Sequence, residues 1–146
     1  MTLSVHGGTF SYPAGPVLLS DLCFSAEPGQ VLSILGPNGV GKTTLMRCML
    51  GFLKWQRGET RLDGKPLSAW GERKVWQHIA YVPQARAGVF AYRVEDMVLL
   101  GRNPYLSSFQ MPGREDLRKA EEAMHLAGIE HLRGQSTLSL SGGELQ

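Results

Sequence analysis

The first thirty residues contain short apolar segments with a two-residue period. Leu3 and Val5 alternate with polar neighbours, and Leu22 and Phe24 do the same. Alternation of this kind is typical of strands with one buried face. Proline and glycine at residues 13–16 mark a turn between the two segments. The pattern therefore predicts an antiparallel β part at the start of the chain.

Two later segments are almost continuously apolar, namely residues 31–35 (VLSIL) and 79–82 (IAYV). A strand that is buried on both faces of a mixed or parallel sheet has this composition. Pro83 ends the second segment, since proline disfavours continuation of regular structure. Between the two, residues 58–64 (GETRLDG) have the composition of a strand closed by an Asp-Gly turn. We expect these segments to form a mixed sheet.

The other periodic segments have helical spacing. Residues 42–50, 71–78 and 94–100 (VEDMVLL) each predict a short helix. The strongest case is residues 115–127, which Gly128 follows as a helix stop. One face of this helix collects the apolar positions Leu117, Ala120, Met124 and Ala127.

The character of the chain changes at Gln84. Residues 1–84 mix strands and helices, whereas residues 85–146 are mostly helical. The pattern therefore predicts an α/β fold with an appended helical part and a boundary near Gln84.

Composition describes an ordinary globular chain. Its 146 residues suit a single domain, with 42% apolar and 19% charged residues. The formal net charge of +2 is small and the basic residues are scattered, so no nucleic-acid partner is expected. Cys23 and Cys48 lack metal-ligand spacing, and we expect both to be small core residues. Neither a signal peptide nor a membrane span is predicted.

Residues 36–43 (GPNGVGKT) fit the phosphate-binding pattern G-x-x-x-x-G-K-[ST]. Glycines allow the backbone to turn close to phosphates, and successive N–H groups at a helix start form an anion nest. A chance glycine-rich turn is the alternative, but a predicted strand precedes the loop and a helix follows it. We therefore predict binding of ATP with Mg²⁺ through Gly36, Pro37, Asn38, Gly39, Val40, Gly41, Lys42 and Thr43.

Three side chains of this segment have individual roles. Lys42 supplies a positive charge to the β- and γ-phosphates and is a candidate catalytic residue, and the Thr43 hydroxyl is a candidate Mg²⁺ ligand. Thr44, one residue further into the helix, can donate to the α-phosphate.

A second small-residue segment lies near the end of the chain, at residues 140–144 (LSGGE). On its own it fits a helix start, because Ser141 and Glu144 have the spacing of a capping box. As an isolated string it does not separate that structural role from a functional one.

The order of these motifs resembles the ATP-binding cassette (ABC) family. The phosphate loop, a glutamine after a strand, a helical stretch and LSGGE follow one another as in that family, whose signature is LSGGQ or LSGGE. The resemblance covers essentially the whole chain. It implies an α/β P-loop NTPase fold of the ABC nucleotide-binding type, with residues 1–84 as the β part and core and residues 85–146 as a helical subdomain.

The resemblance also implies further site residues. Tyr12 lies where the family places the aromatic ring that stacks on adenine, although a half-buried strand tyrosine is an alternative. Gln84 matches the glutamine that contacts Mg²⁺ and the attacking water, so it is both a catalytic and a metal-site candidate. The signature residues Ser141, Gly142 and Gly143 correspond to those that hold the γ-phosphate of ATP bound to a second subunit.

In the family, an acidic pair and a switch histidine follow the signature. Glu95-Asp96 and Glu121-Glu122 precede it and are predicted to be solvated helix positions. We expect the chain to continue beyond Gln146 in a longer ATPase, and residues 1–146 alone to bind ATP weakly and not to hydrolyse it. The fold is therefore expected to be incomplete at its C-terminus.

The segment 89–106 is similar to importer ATPases for iron–siderophore, haem, cobalamin and related chelates. This similarity implies a bacterial importer subunit that works as a dimer of identical chains. Its partners would be integral membrane permease subunits and, indirectly, a substrate-binding protein. Its location would be cytoplasmic, on the inner face of the cell membrane. A soluble ABC ATPase outside transport and an inactive nucleotide-binding remnant are the alternatives.

Overall fold

The computed structural model describes residues 1–83, 91–107 and 109–145. The chain divides into two compact units, Met1–Gly71 and Glu72–Gln146. Gln84, where the sequence pattern predicts a boundary, lies outside the described residues.

The first unit contains an antiparallel sheet with the strand order β2-β1-β3-β4. Its strands are β1 (Leu3–Ser11), β2 (Val17–Ala26), β3 (Arg57–Leu62) and β4 (Lys65–Pro66). The expected turn at Asp63-Gly64 joins β3 to β4, with both residues at positive φ. The predicted antiparallel part is therefore confirmed, and with the helices it gives the α/β class.

A bulge interrupts the pairing of β1 with β3. His6 pairs with Glu59 and Thr9 pairs with Arg57, so Gly7 and Gly8 of β1 face one residue of β3. That residue is Gly58, whose φ is +76°.

Helix α1 (Lys42–Met49) packs on the sheet and completes the core of this unit. Met46 and Arg47 lie on the exposed side of α1, between the buried residues of its other side, so the helix is amphipathic. The buried core combines sheet and helix residues: Val5, Phe10, Leu19, Leu45, Cys48 and Met49.

The two predicted buried strands do not form. In residues 31–35, Val31 is 92% exposed and Leu35 is 90% exposed, and neither this segment nor residues 79–82 has strand structure. A doubly buried strand needs a neighbour on each side. None of the described residues pairs with either segment, so the predicted mixed sheet is wrong for this part of the chain.

Cys23 is also placed differently from the prediction. It is exposed, whereas Cys48 is buried as expected. The reason is the period of β2, which turns Leu22 and Phe24 toward the core and the intervening Cys23 away from it.

The second unit is helical. Its helices are α2 (Glu72–Trp76), α3 (Val94–Leu100), α4 (Arg114–Leu126) and α5 (Gly142–Leu145), with short 3₁₀ turns between them. The bounds of α3 match the prediction, and α4 agrees within one residue at each end. Val94, Met124 and Leu132 form the buried core of this unit.

The buried face of α4 is not the one that apolar spacing predicts. Ala120 and Met124 are buried as expected, but Leu117 is 51% exposed, Ala127 is also exposed, and Asp116 is buried instead. Asp116 is held inward because it accepts hydrogen bonds from Arg102 and from the backbone of Gly113.

Three of the four acidic residues lie as predicted, since Asp96 and Glu121 are exposed on their helices and the Glu122 side chain is 44% exposed beside Arg118. Glu95 is the exception, because its side chain is only 31% exposed and one carboxylate oxygen is buried without a hydrogen bond to the described residues. Among the described helices, none has the length and apolar character needed to span a bilayer.

Candidate nucleotide-binding site

Backbone geometry sets the shape of the loop that precedes α1. Gly39 and Gly41 have φ of +83° and +104°, a region that other residues rarely adopt. Gly41 also caps α1, and a Cβ there would lie 3.2 Å from Leu18 and 3.3 Å from Leu19. Glycine at 41 therefore serves both the turn and the close approach of the loop to β2.

The start of α1 has no side-chain cap. The first N–H groups of a helix have no partner within the helix, and the helix dipole makes this end positive. The N–H groups of Lys42, Thr43 and Thr44 belong to this first turn. An anion at this position would satisfy donors that the fold leaves open.

Lys42 folds back over the loop. Its Nζ donates to the carbonyl oxygens of Gly36 at 2.7 Å and Pro37 at 2.8 Å. These two bonds hold the ammonium group within the curve of the loop, where a phosphate chain would meet it.

The two threonines of α1 lie in different environments. Thr43 is exposed at the first turn, whereas Thr44 is 8% exposed. The Thr44 hydroxyl is 3.2 Å from the phenol oxygen of Tyr12.

Tyr12 therefore lies beside the loop, although 32 residues separate it from Thr44. It follows the end of β1 directly, and its ring packs edge-on against Phe10 with centroids 5.0 Å apart and planes at 86°. Because Tyr12 is 45% exposed, its ring remains accessible to a planar ligand. The structure thus brings together Tyr12 and residues 36–44 in one unit.

Mg²⁺ fits this site only as a companion of phosphate. Among residues 1–83, 91–107 and 109–145, no group of three or more His, Cys, Asp or Glu side chains is arranged for a metal. Thr43 offers one hydroxyl oxygen at the exposed first turn of α1. Gln84, the other predicted metal-site residue, lies outside the described residues. Mg²⁺ commonly takes one or two protein ligands together with substrate phosphates and water, and the residues present suit that arrangement.

The signature segment lies in the second unit, where Ser141, Gly142 and Gly143 are all exposed. The Ser141 N–H and hydroxyl both donate to the same carboxylate oxygen of Glu144, at 2.8 and 2.6 Å. The Glu144 N–H donates back to the Ser141 hydroxyl oxygen at 3.4 Å, which completes the capping box that the spacing predicts. The bonds from Ser141 lower the pKa of Glu144. Ser141 therefore begins α5 structurally, and this role is compatible with a functional one.

The second unit also contains a groove that the sequence did not predict. It has a volume of about 650 Å³ and is lined by polar and apolar side chains of α2 and of the segment that follows α3. Its lining residues are Glu72, Arg73, Trp76, Asn103, Pro104, Leu106, Ser107 and Gln110. Arg73 and Gln77 both donate to the Pro104 carbonyl, which ties the two walls together. The i, i+3 spacing of Arg73 and Trp76 is the sequence signal that could have indicated a shared face.

Contacts of Arg102 and Tyr105 stabilise the wall of the groove that contains Pro104. Arg102 lies 4.2 Å from the centre of the Tyr105 ring and donates to Asp116 of α4 at 2.9 Å. The Tyr105 hydroxyl in turn donates to the carbonyl of Gln77. These contacts join α4, residues 102–105 after α3, and the end of α2.

A family model described as "ABC transporter" matches residues 19–146. The chain belongs to the ABC transporter family. It is 43% identical over 130 residues to the hemin import ATP-binding protein HmuV of Pseudomonas fluorescens strain Pf0-1. That match covers 88% of this chain and 49% of the relative, so the chain spans about half the length of the curated relatives it matches.

Solved structures of ABC proteins have the same fold. A metal-chelate type ABC transporter in an inward-facing conformation matches with a TM-score of 0.77 and 31% identity, over 99% of this chain and 51% of that one. CbiO1 of Clostridium perfringens, part of the transporter complex cbiONQ, matches with a TM-score of 0.80 and 31% identity, over 98% and 57% of the two chains. The expected ABC-type P-loop fold is thereby confirmed.

Proposed function

We propose that this chain belongs to the ATP-binding subunit of a bacterial importer for haem or a related metal chelate. The observation that carries the nucleotide part is the position of Lys42. Its ammonium group is held inside the glycine loop that precedes the uncapped start of α1, and Thr44 in the first turn of that helix contacts Tyr12. Positive charge, open N–H donors and an accessible aromatic ring are what a nucleoside triphosphate requires.

Each residue of the site would contribute a separate interaction. Tyr12 stacks on adenine, and the loop N–H groups and Lys42 bind the phosphates. Thr43 and Gln84 hold Mg²⁺, which neutralises phosphate charge when it is bound. Gln84 also orients the attacking water, so Lys42 and Gln84 are the proposed catalytic residues of this chain. Such catalysis consists mainly of positioning and electrostatic stabilisation.

A second copy would complete the site. We propose that residues Ser141, Gly142 and Gly143 of one copy hold the γ-phosphate of ATP bound to the other. Closure of this dimer on ATP, and reopening after hydrolysis, would drive the permease. The capping box leaves Gly142 and Gly143 exposed, which suits contact with a partner.

The cargo is proposed from two sources. The curated relative is described as a hemin import protein and one similar structure as a metal-chelate type transporter. The segment 89–106 independently resembles importers for iron–siderophore, haem and cobalamin. Haem fits both sources, so we propose haem first and the other chelates as alternatives.

The groove on α2 is the proposed contact for the permease. It carries both signs of charge, at Glu72 and Arg73, around the apolar Trp76, Pro104 and Leu106. A subunit bound there would lie on the inner face of the cell membrane. A substrate-binding protein would deliver the chelate to the permease on the other side.

Nucleotide binding is tested with Lys42→Ala in the full natural polypeptide. Because a hydrogen bond to a charged group contributes roughly 1.5–3 kcal/mol, we expect MgATP affinity to fall by roughly tenfold to 150-fold, measured by calorimetry. Lys54→Ala is the matched control, since Lys54 is an exposed lysine of the same unit. Equal affinity for MgATP in the Lys42 variant and the wild type would refute the nucleotide site.

The cargo is tested by growth. A strain lacking the gene should grow poorly on haemin as the sole iron source and normally on ferric salts. A defect confined to a ferric siderophore, or to conditions that require cobalamin uptake, would assign one of the alternative chelates. Normal growth under all of these conditions would contradict the importer proposal.

A further inference from the structure

The contact between Tyr12 and Thr44 links two parts of the nucleotide site. The phenol oxygen of Tyr12 lies 3.2 Å from Thr44 Oγ1, and either atom can be the donor. Thr44 is almost fully buried in the first turn of α1, whereas Tyr12 is 45% exposed. The bond therefore runs from an accessible ring to a buried residue at the start of the helix.

Hydroxyl chemistry decides the direction of this bond when an anion is present. Each hydroxyl carries one proton and two acceptor positions. A phosphate oxygen at the start of α1 can only accept, so a Thr44 hydroxyl that bonds to it must donate its proton. Tyr12 must then be the donor to Thr44 Oγ1. A chain of hydrogen bonds that ends on an anion polarises its members and strengthens each bond.

The neighbouring groups do not compete for the hydrogen bonds from Tyr12 to Thr44 and from Thr44 to phosphate. The Lys42 ammonium, the charged donor next to the loop, is bound to the carbonyl oxygens of Gly36 and Pro37. Phe10 packs edge-on against the Tyr12 ring and fixes its orientation. Both contacts favour a defined geometry for the Tyr12 hydroxyl.

From this geometry we infer that Tyr12 acts on the nucleotide phosphate as a positioning residue through Thr44. Its hydroxyl donates to Thr44, and Thr44 donates to a phosphate oxygen. This inference rests on the proposed nucleotide site and adds to it a role for the tyrosine hydroxyl that stacking on adenine does not need. Binding of the adenine base by Tyr12 and binding of the phosphates by the loop are then energetically coupled.

The test separates the hydroxyl from the ring. Tyr12→Phe keeps the ring, and Thr44→Val keeps the shape of the threonine without its hydroxyl. The ligands are MgATP and magnesium tripolyphosphate, which has the phosphate chain but no base. Binding is measured by calorimetry in the full natural polypeptide, and thermal unfolding is recorded for every variant.

We expect Tyr12→Phe to weaken both ligands by roughly threefold to tenfold, the range for one hydrogen bond. In the Thr44→Val background the same change should have no further effect, because the chain of bonds is already broken. Thr44→Ser should rescue the affinity lost in Thr44→Val and restore the sensitivity to Tyr12→Phe.

Two results would overturn the inference. One is unchanged tripolyphosphate binding in Tyr12→Phe, which would leave the tyrosine a stacking role alone. The other is full additivity of Tyr12→Phe and Thr44→Val. Failure of the nucleotide site itself has a different signature, since the wild type would then show no Lys42-dependent binding of either ligand.

Discussion

Replacing Gly58 by alanine tests how closely β3 approaches the bulge of β1. Gly58 has φ +76°, and a Cβ at this position would lie 2.3 Å from the carbonyl oxygens of His6 and Gly7. Both obstacles are backbone atoms that hydrogen-bonded strands hold in place. Alanine therefore requires the two strands to separate or the bulge to rearrange.

The cost has two parts. A left-handed conformation costs a residue with a Cβ roughly 1–2 kcal/mol, and overpacking typically adds roughly 1–3 kcal/mol. Gly64 provides a matched control, because its φ is also +76° but a Cβ there would meet nothing within 4 Å. We expect a loss of about 2–5 kcal/mol for Gly58→Ala and about 1–2 kcal/mol for Gly64→Ala.

Urea unfolding of the full natural polypeptide measures both losses. Tryptophan fluorescence is a suitable local probe, since Trp55 donates a hydrogen bond to Thr60 of β3 and would lie 2.9 Å from a Cβ on Gly8 in the bulge. The midpoint should fall further for Gly58→Ala than for Gly64→Ala at an unchanged slope. Equal midpoints for the two variants would show that the close approach of β3 to β1 is wrong.

Two further predictions concern titratable groups. Hydrogen bonds from Gly113 and Arg102 lower the pKa of Asp116, so its ionised form contributes stability above the ordinary carboxyl pKa, and this contribution is lost as the pH falls through the folded-state pKa. Asp116→Asn should therefore weaken the acid dependence of unfolding, and an unchanged pH profile would contradict that role. Burial raises the pKa of Cys48 to about 11, against an opposing effect of Arg47. Iodoacetamide at pH 8 should thus label Cys23 in the native protein and both thiols only in denaturant, as counted by mass spectrometry.

Elements with local signals were predictable from the sequence. The extents of α3 and α4 and the Asp63-Gly64 turn depend on residues that lie within or beside the element itself. The loop before α1 has the same property, because its glycines encode its turns. Tyr12 was assigned to this site by family resemblance alone, and its position beside Thr44 is a tertiary contact that no periodicity contains.

Features that depend on distant partners were not predictable in the same way. A continuous apolar run such as residues 31–35 becomes a strand only when other strands pair with it. Asp116 occupies a buried position of α4 because Arg102 and Gly113 bind its carboxylate. Apolar spacing alone could not anticipate this. Cys23 is a different kind of error, since the alternation of β2 already indicated that it faces away from the core.

The position of the glycine loop at residues 36–43 has a physical explanation that does not require the segment before it to be a strand. Residues 31–35 have no strand structure, yet the loop after them has defined glycine turns and holds the Lys42 ammonium against two of its carbonyl oxygens. Two contacts hold it: Leu45 and Cys48 of α1 are buried in the core that strand residues share, and Ile34, just before the loop, packs against the same core. Full burial of one leucine side chain contributes roughly 1.5–3 kcal/mol to the stability of the fold. The loop and the start of the helix are thereby anchored to β1 and β2, and Tyr12 at the end of β1 is held next to Thr44 by the same packing.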